Sequence, residues 1–282
     1  MEFFLSNFQQ FQLCYLLNYH LNNQTLLPEK VIVVNDNSTD NTTEIVENLT
    51  KKIPNLKLIH NQSSNQHMPG EKVVRAFNFG LQQLDADYDV ICKFDGDLIF
   101  PKNYLETLAF HYKQNPKLGM LSGHCYIQKN NNWIYENIAS KVHTRGPLKS
   151  YRHACFEAIG GLQASIGWDT VDELIALYYG WTFKTVAALK VKHLKPTGTQ
   201  YSPSARYLQG EALYKMRSGF IITVLSALKI AYNRKKIICF IDCIAGFCKA
   251  HKTKAKFIVN ENQGKFIRRY RWIALRKKII GI

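Results

Sequence analysis

Acidic residues are nearly absent from the last third of this 282-residue chain: residues 181–282 carry 22 of its 37 Lys and Arg, but only Glu211, Asp242 and Glu261 oppose them. The first 180 residues hold 15 basic and 18 acidic groups, so the formal charge of +16 belongs to the C-terminal segment. Such a segment suits anionic lipid or a polyanion. Paired Cys-x-x-Cys spacing is also missing. The seven cysteines (14, 92, 125, 155, 239, 243, 248) lie mostly in apolar runs, which favours reduced core thiols and a cytosolic compartment over a disulfide scaffold or a zinc site. No run of about 18 uncharged apolar residues occurs, and the nearest stretches, 219–230 and 237–248, are too short to span a bilayer. The start shows no cationic stretch followed by an apolar one, so no signal peptide is expected. No internal repeat is visible. The apolar (46%) and aromatic (12%) fractions are those of a globular protein, with one large domain or two small ones.

The most informative stretch is Tyr88-Asp89-Val90-Ile91-Cys92-Lys93-Phe94-Asp95-Gly96-Asp97, an apolar run ending in two carboxylates around a glycine. It reads as a buried strand, with Asp95 and Asp97 at its carboxyl end, where open α/β sheets bind ligands. Two hard oxygen donors there suit a divalent ion shared with phosphate oxygens. The competing reading is a plain turn, because Asp-Gly is a common hairpin signal.

Around this stretch the pattern alternates. Residues 30–34 form a β-branched strand, followed by the turn Asn35-Asp36-Asn37-Ser38-Thr39-Asp40, a helix over 42–49 capped by Ser38 or Thr39, and a strand near 56–60. That strand-helix-strand unit implies a parallel sheet. Helices are expected over 71–84 and 101–112, a strand over 119–127, and a short helix over 155–159 closed by Gly160-Gly161. Another helix is expected over 171–179, then strands over 182–186 and 189–193. The Pro- and Gly-rich loop 195–203 marks a boundary, beyond which helical periodicity and heavy Lys/Arg loading continue to the end.

Four of these stretches stand in a telling order: strand-Asn35-Asp36-Asn37-Ser38-Thr39-Asp40, strand-Asp95-Gly96-Asp97, Gly160-Gly161 before Trp168-Asp169, and strand-His193. Together they resemble the nucleotide-sugar glycosyltransferases of family two over residues 22 to 195. The resemblance implies a Rossmann-like type-A α/β fold, a mostly parallel sheet flanked by helices, with a basic helical segment added at the C-terminus. It also implies an inverting, metal-dependent enzyme that moves a sugar from a nucleotide-diphosphate donor, such as a UDP-sugar, to a hydroxyl of a cell-surface glycan or lipid-linked acceptor. On this resemblance Asp36 holds the base, Asp95 lies near the ribose and metal, and Asp97 is the direct ligand of Mn or Mg, with His193 completing the metal site. Asp169, at a helix start eleven residues before Gly180, is the base that deprotonates the acceptor. Its predecessor is Trp168 rather than the family's Glu, which keeps Asp172 and Glu173 as alternative bases. Arg75, with Asn78 and Gly80, resembles the loosely patterned helix where an arginine contacts base or phosphate.

The family's usual first strand has no visible counterpart in residues 1–15. The domains are therefore expected as 1–28, a divergent segment without that strand; 29–200, the catalytic domain; and 201–282, the basic helical segment. A lost strand would leave a chain impaired in activity, or an inactive basic protein on a membrane or polyanion. A nucleotidyltransferase of similar fold would carry a Gly-rich, Lys/Arg-bearing loop after its first strand, and none is seen. The helix candidates over 210–231 and 235–250 combine apolar faces with Lys and Arg, a pattern for peripheral contact with the inner face of an anionic membrane. No nucleic-acid motif accompanies the charge.

Overall fold

The computed structural model describes residues 2–6, 23–63, 70–85, 87–138, 140–196 and 206–280. The chain divides into two compact units, one of Met1–Met68, Lys72–Leu162 and Tyr179–Thr199, the other of Pro69–Glu71, Gln163–Tyr178 and Gln200–Ile282. Residues 69–71 and 163–178 group with the C-terminal helices rather than with the sheet. Most of the loop 195–203 lies outside the described residues.

The first unit is built on one sheet. Its strands are β1 (Glu2–Ser6), β2 (Lys30–Asp36), β3 (Leu56–Asn61), β4 (Val90–Asp95), β5 (Leu98–Ile99), β6 (Leu118–Lys129), β7 (Asn132–Tyr135), β8 (Leu148–Arg152) and β9 (Thr182–His193), in the order β3-β2-β1-β4-β8-β6-β9-β5, with β7 on β6. β3, β2, β1 and β4 run parallel to one another. β8 runs antiparallel to both β4 and β6, so the sheet is mixed rather than mostly parallel throughout. The strand that the sequence reading found missing is present: β1 pairs along its whole length with β2 on one side and β4 on the other.

Alternation sorts the side chains. Val31 and Val33 of β2, and Val90, Cys92 and Phe94 of β4, enter one core with Val46 of α1 (Thr42–Thr50) and Leu105, Leu108 and Tyr112 of α3 (Tyr104–Gln114). There Phe94, Phe100 and Tyr104 pack with ring centroids 4.6–5.8 Å apart. Full burial of each such side chain is worth roughly 1.5–3 kcal/mol. Lys93 and Asp95 consequently point to the opposite face. Phe77 of α2 (Glu71–Leu81) meets Phe156 of α4 (His153–Ile159) edge-on, and Phe156 meets Tyr151 of β8. α1 starts at Thr42 as expected, but its cap differs: Asp40, not Ser38 or Thr39, accepts from the Thr42 N–H at 3.0 Å. The two strands expected over 182–193 are one, β9, with a register shift where Gly123 gives way to His124. A Cβ at Gly123 would stand 2.5 Å from the Leu189 carbonyl, so only glycine admits this irregularity.

The second unit is helical: α5 (Trp168–Tyr178), α6 (Leu208–Lys215), α7 (Phe220–Arg234), α8 (Ile238–Lys252) and α9 (Glu261–Ile280). The single helix expected over 210–231 is interrupted by Arg217 and Gly219, both at positive φ. α6 and α8 cross at two glycines. A Cβ on Gly210 would lie 1.8 Å from the Cys243 carbonyl, and one on Gly246 2.0 Å from the Tyr207 carbonyl. Gly246→Ala therefore forces these backbones apart. We expect it to lower stability by roughly 1–3 kcal/mol or more, seen as a lower urea midpoint at unchanged slope.

Candidate functional site

Two residues of β5 set the geometry. Leu98 and Ile99 pair antiparallel with His193 and Lys192, and the Leu194 N–H donates to the Asp97 carbonyl at 2.9 Å. Asp97 is thereby held against the end of β9. Its Oδ2 lies 3.5 Å from His193 Nε2, while His193 Nδ1 lies 3.3 Å from Glu136 Oε2. Arg145 closes the chain of contacts, donating from Nη2 to Glu136 Oε2 at 2.7 Å and from Nη1 to the Glu136 carbonyl at 3.3 Å. Glu136, Arg145 and His193 are buried. On β4, Lys93 is also buried, forms a close ion pair with Asp95, and donates to the Gly146 carbonyl at 3.2 Å.

These charges act on one another. Burial raises the Asp95 carboxyl and Asp97 pushes the same way, while Lys93 opposes both. Burial alone would lower His193, yet its hydrogen bonds with Asp97 and Glu136, reinforced by their charges, raise it from 6.5 to about 9. The thiol of Cys125 lies with Glu136 and His193 in a group whose ligand atoms are all within 4.8 Å. Burial pushes that thiol up to about 12, so it remains protonated and offers no thiolate. Glu136 is taken up by Arg145 and His193. What remains facing outward is Asp97, whose side chain keeps 16% exposure, with His193 Nε2 beside it. A carboxylate oxygen and an imidazole nitrogen so placed, with a second carboxylate fixing the far side of the ring, fit a divalent ion once the ion displaces the Nε2 proton.

Asp36 stands at the end of β2, as expected, but serves its own loop. Its Oδ1 accepts from Asn61 Nδ2 (3.0 Å) and the Ser63 N–H (3.2 Å), and its Oδ2 accepts from Ser63 Oγ (2.9 Å), with Lys72 Nζ at 3.8 Å. These donors take three of the roughly four acceptor directions of a carboxylate. Arg75 lies on the exposed side of α2, and Asn78 holds the Leu162 carbonyl at 3.2 Å.

The acids of α5 belong to the second unit. Trp168 is buried at its first turn, where its ring meets Gly70. Asp172 and Glu173 are buried too, at 3% and 6% exposure, rather than solvated on a first turn; the Glu173 N–H donates to Asp172 Oδ1 at 2.7 Å. Asp169 is half-buried.

Sequence reasoning missed Lys93, Glu136 and Arg145. Lys93 carried a signal: an alternating strand puts it on the same side as Asp95, and a lysine inside an apolar run needs a partner. Glu136 carried none, because it is the β6–β7 hairpin register that sets its backbone beside Cys125. Arg145, in a loop-like stretch without periodicity, is a buried partner of Glu136.

The family profile described as Glycosyl transferase family 2 matches residues 18–164. Over 112 residues the chain is 31% identical to the GalNAc(5)-diNAcBac-PP-undecaprenol beta-1,3-glucosyltransferase of Campylobacter jejuni, a match covering 40% of this chain and 33% of that protein. The chain thus spans about a third of the length of the curated relative it matches. The mannosyltransferase PcManGT of Pyrobaculum calidifontis, solved with GDP-Man and Mn2+, superposes with a TM-score of 0.57 at 13% identity, over 99% of this chain and 86% of that one. TarS of S. aureus, solved with UDP-GlcNAc, gives 0.57 at 18% identity, over 89% and 72%. At these identities the two structures show a shared fold.

The buried Arg145–Glu136 pair yields a stability prediction. Arg145→Met strands a buried carboxylate and should cost about 3–5 kcal/mol in urea unfolding, and adding Glu136→Met should restore part of that loss.

Proposed function

The chain belongs to glycosyl transferase family 2, and from that we propose that it is an inverting glycosyltransferase that uses a divalent cation and a nucleotide-diphosphate sugar, a UDP-sugar by preference. The observation that carries this reading is the convergence of Asp97 and His193 Nε2 at the carboxyl end of the parallel strands, with Glu136 behind the imidazole. Asp97 and His193 would hold the ion, which supplies neutralisation of the charge that gathers on the leaving diphosphate. On this reading Asp95, which pairs with Lys93, accepts from the ribose hydroxyls. Asp36 orders the loop through Asn61 and Ser63, and on this reading the base is held at the end of β2 that this loop shapes. Arg75 is the phosphate or base contact of this reading.

Transfer with inversion needs a general base on the acceptor side. Of the three acids of α5, Asp169 takes this role because Asp172 and Glu173 are closed off from solvent and from an incoming hydroxyl. The acceptor is a hydroxyl of a glycan or lipid-linked saccharide. The relative acting on an undecaprenol-linked saccharide favours the lipid-linked form. No helix among the described residues is long and apolar enough to cross a membrane. Access to such an acceptor then calls for peripheral contact of the basic second unit with an anionic bilayer.

Incubation with Mn2+ and a panel of nucleotide sugars should release the nucleoside diphosphate. No release with any donor, together with no nucleotide-dependent rise in melting temperature, would sink the enzyme reading. Asp97→Ala should abolish metal-dependent donor binding. Asp169→Asn should keep donor binding and lower transfer roughly 10²- to 10⁴-fold; if it transfers normally, the base is Asp172 or Glu173. Glu136→Gln, which weakens the hold on the imidazole, should raise the Mn2+ Kd roughly ten- to hundredfold in a calorimetric titration.

A further inference from the structure

The hairpin of α7 and α8 ends in an unusual surface. Tyr232 is 84% exposed and Ile237 71%, and Leu228, Ile238 and Ile241 are exposed beside them. Lys229, Arg234, Lys235 and Lys236 share the same tip and are all exposed. At its base lies a cleft of about 570 Å³, within the range of small-ligand pockets. Arg206, Arg234, Lys236, Ile238 and Asp242 are among its lining residues. Arg206 holds Asp242 through two hydrogen bonds of 3.0 and 2.9 Å, so the only acid in the wall is neutralised and the lining is net cationic. Acids are equally scarce beyond it: Glu211 is paired with Lys215, and Glu261 is the only other one after residue 206.

Monomeric proteins rarely leave adjoining large aliphatic side chains in water. Charge alone would serve a nucleic acid, but isoleucines would not; single strands are bound on aromatic platforms. An apolar ridge with a cationic cleft directly beneath it matches one surface, a bilayer bearing anionic phospholipid. We infer that the α7–α8 hairpin tip is the membrane-docking element, with Ile237 and Ile241 entering the acyl boundary and a lipid phosphate seated in the cleft by Arg234 and Lys236. This rests on the peripheral membrane contact in the proposed function and names the part of the chain that makes it.

The test is co-sedimentation of the full chain with phosphatidylcholine vesicles, with and without phosphatidylglycerol. The wild-type chain should sediment with the anionic vesicles only, and less so as salt rises. Lys235→Ser with Lys236→Ser should weaken binding roughly fivefold per residue. Ile237→Ser with Ile241→Ser should weaken it at least about tenfold, although none of the four side chains is in the core. Both double variants should keep the nucleotide-dependent rise in melting temperature. If the wild-type chain sediments and both variants sediment equally well, the hairpin assignment falls while membrane contact stands. If the wild-type chain does not sediment at all, both fall, and the donor reaction is untouched by either result. Titration with inorganic phosphate that saturates the protein without any vesicle binding would overturn the lipid assignment in favour of a small anion.

Discussion

The pairing of the two-residue strand β5 with the end of β9 is the constraint on which the site depends. Without it Asp97 would belong to a mobile turn after β4, and a carboxylate on a turn has no fixed partner. With it, the Asp97 carbonyl is tied to Leu194 and its carboxylate to His193. The imidazole is in turn set by Glu136, and Glu136 by Arg145, so one ladder hydrogen bond at the sheet edge begins a chain of four side chains. Each of these groups would be costly to bury alone. Together they satisfy one another, which is the condition for charge below a protein surface.

That dependence explains which parts could be read from the sequence. Asp95, Asp97 and His193 stand at the ends of apolar runs, and a strand end is a one-dimensional feature. Glu136 and Arg145 come together through a hairpin register and a loop, and neither is encoded in local periodicity. The parallel strands β2 and β4 were legible because their apolar runs are buried on both faces. β1 was not, because three apolar residues between Glu2 and Ser6 give no pattern above that of any short apolar stretch. β9 was read as two strands, since the irregularity at Gly123 lies between paired strands and shows only in their register. In the second unit the helices were legible and their break was not: Arg217 occupies a positive φ that its residue type does not announce.

The two units also solve opposite packing problems. In the first, the carboxylates of Asp95, Asp97 and Glu136 are each met by a cation of the protein, Lys93, His193 or Arg145. Those cations are therefore already engaged when a diphosphate arrives, and the added negative charge calls for a positive charge that the cluster does not hold in reserve. This is the electrostatic reason for reading the exposed edge of Asp97 and His193 as a place for a divalent ion rather than as a plain ion pair.

In the second unit the difficulty is close contact. Gly210 and Gly246 let α6 and α8 approach until backbone meets backbone, and beside that contact Leu213 of α6, Cys243 of α8 and Ala227 of α7 are buried against Phe240, Ile244 and Phe247. The buried face of α7 is lined by Ile222, Thr223, Ala227 and Ala231. Larger aliphatic residues of α7 and α8 then lie on the outer faces, as Ile221, Leu225, Leu228, Ile238 and Ile241 do. A helix pair that keeps this many large aliphatic side chains on its outer faces departs from the usual soluble pattern. Exposed cations adjoin them at the hairpin tip, the arrangement expected of a surface whose working environment is not water alone.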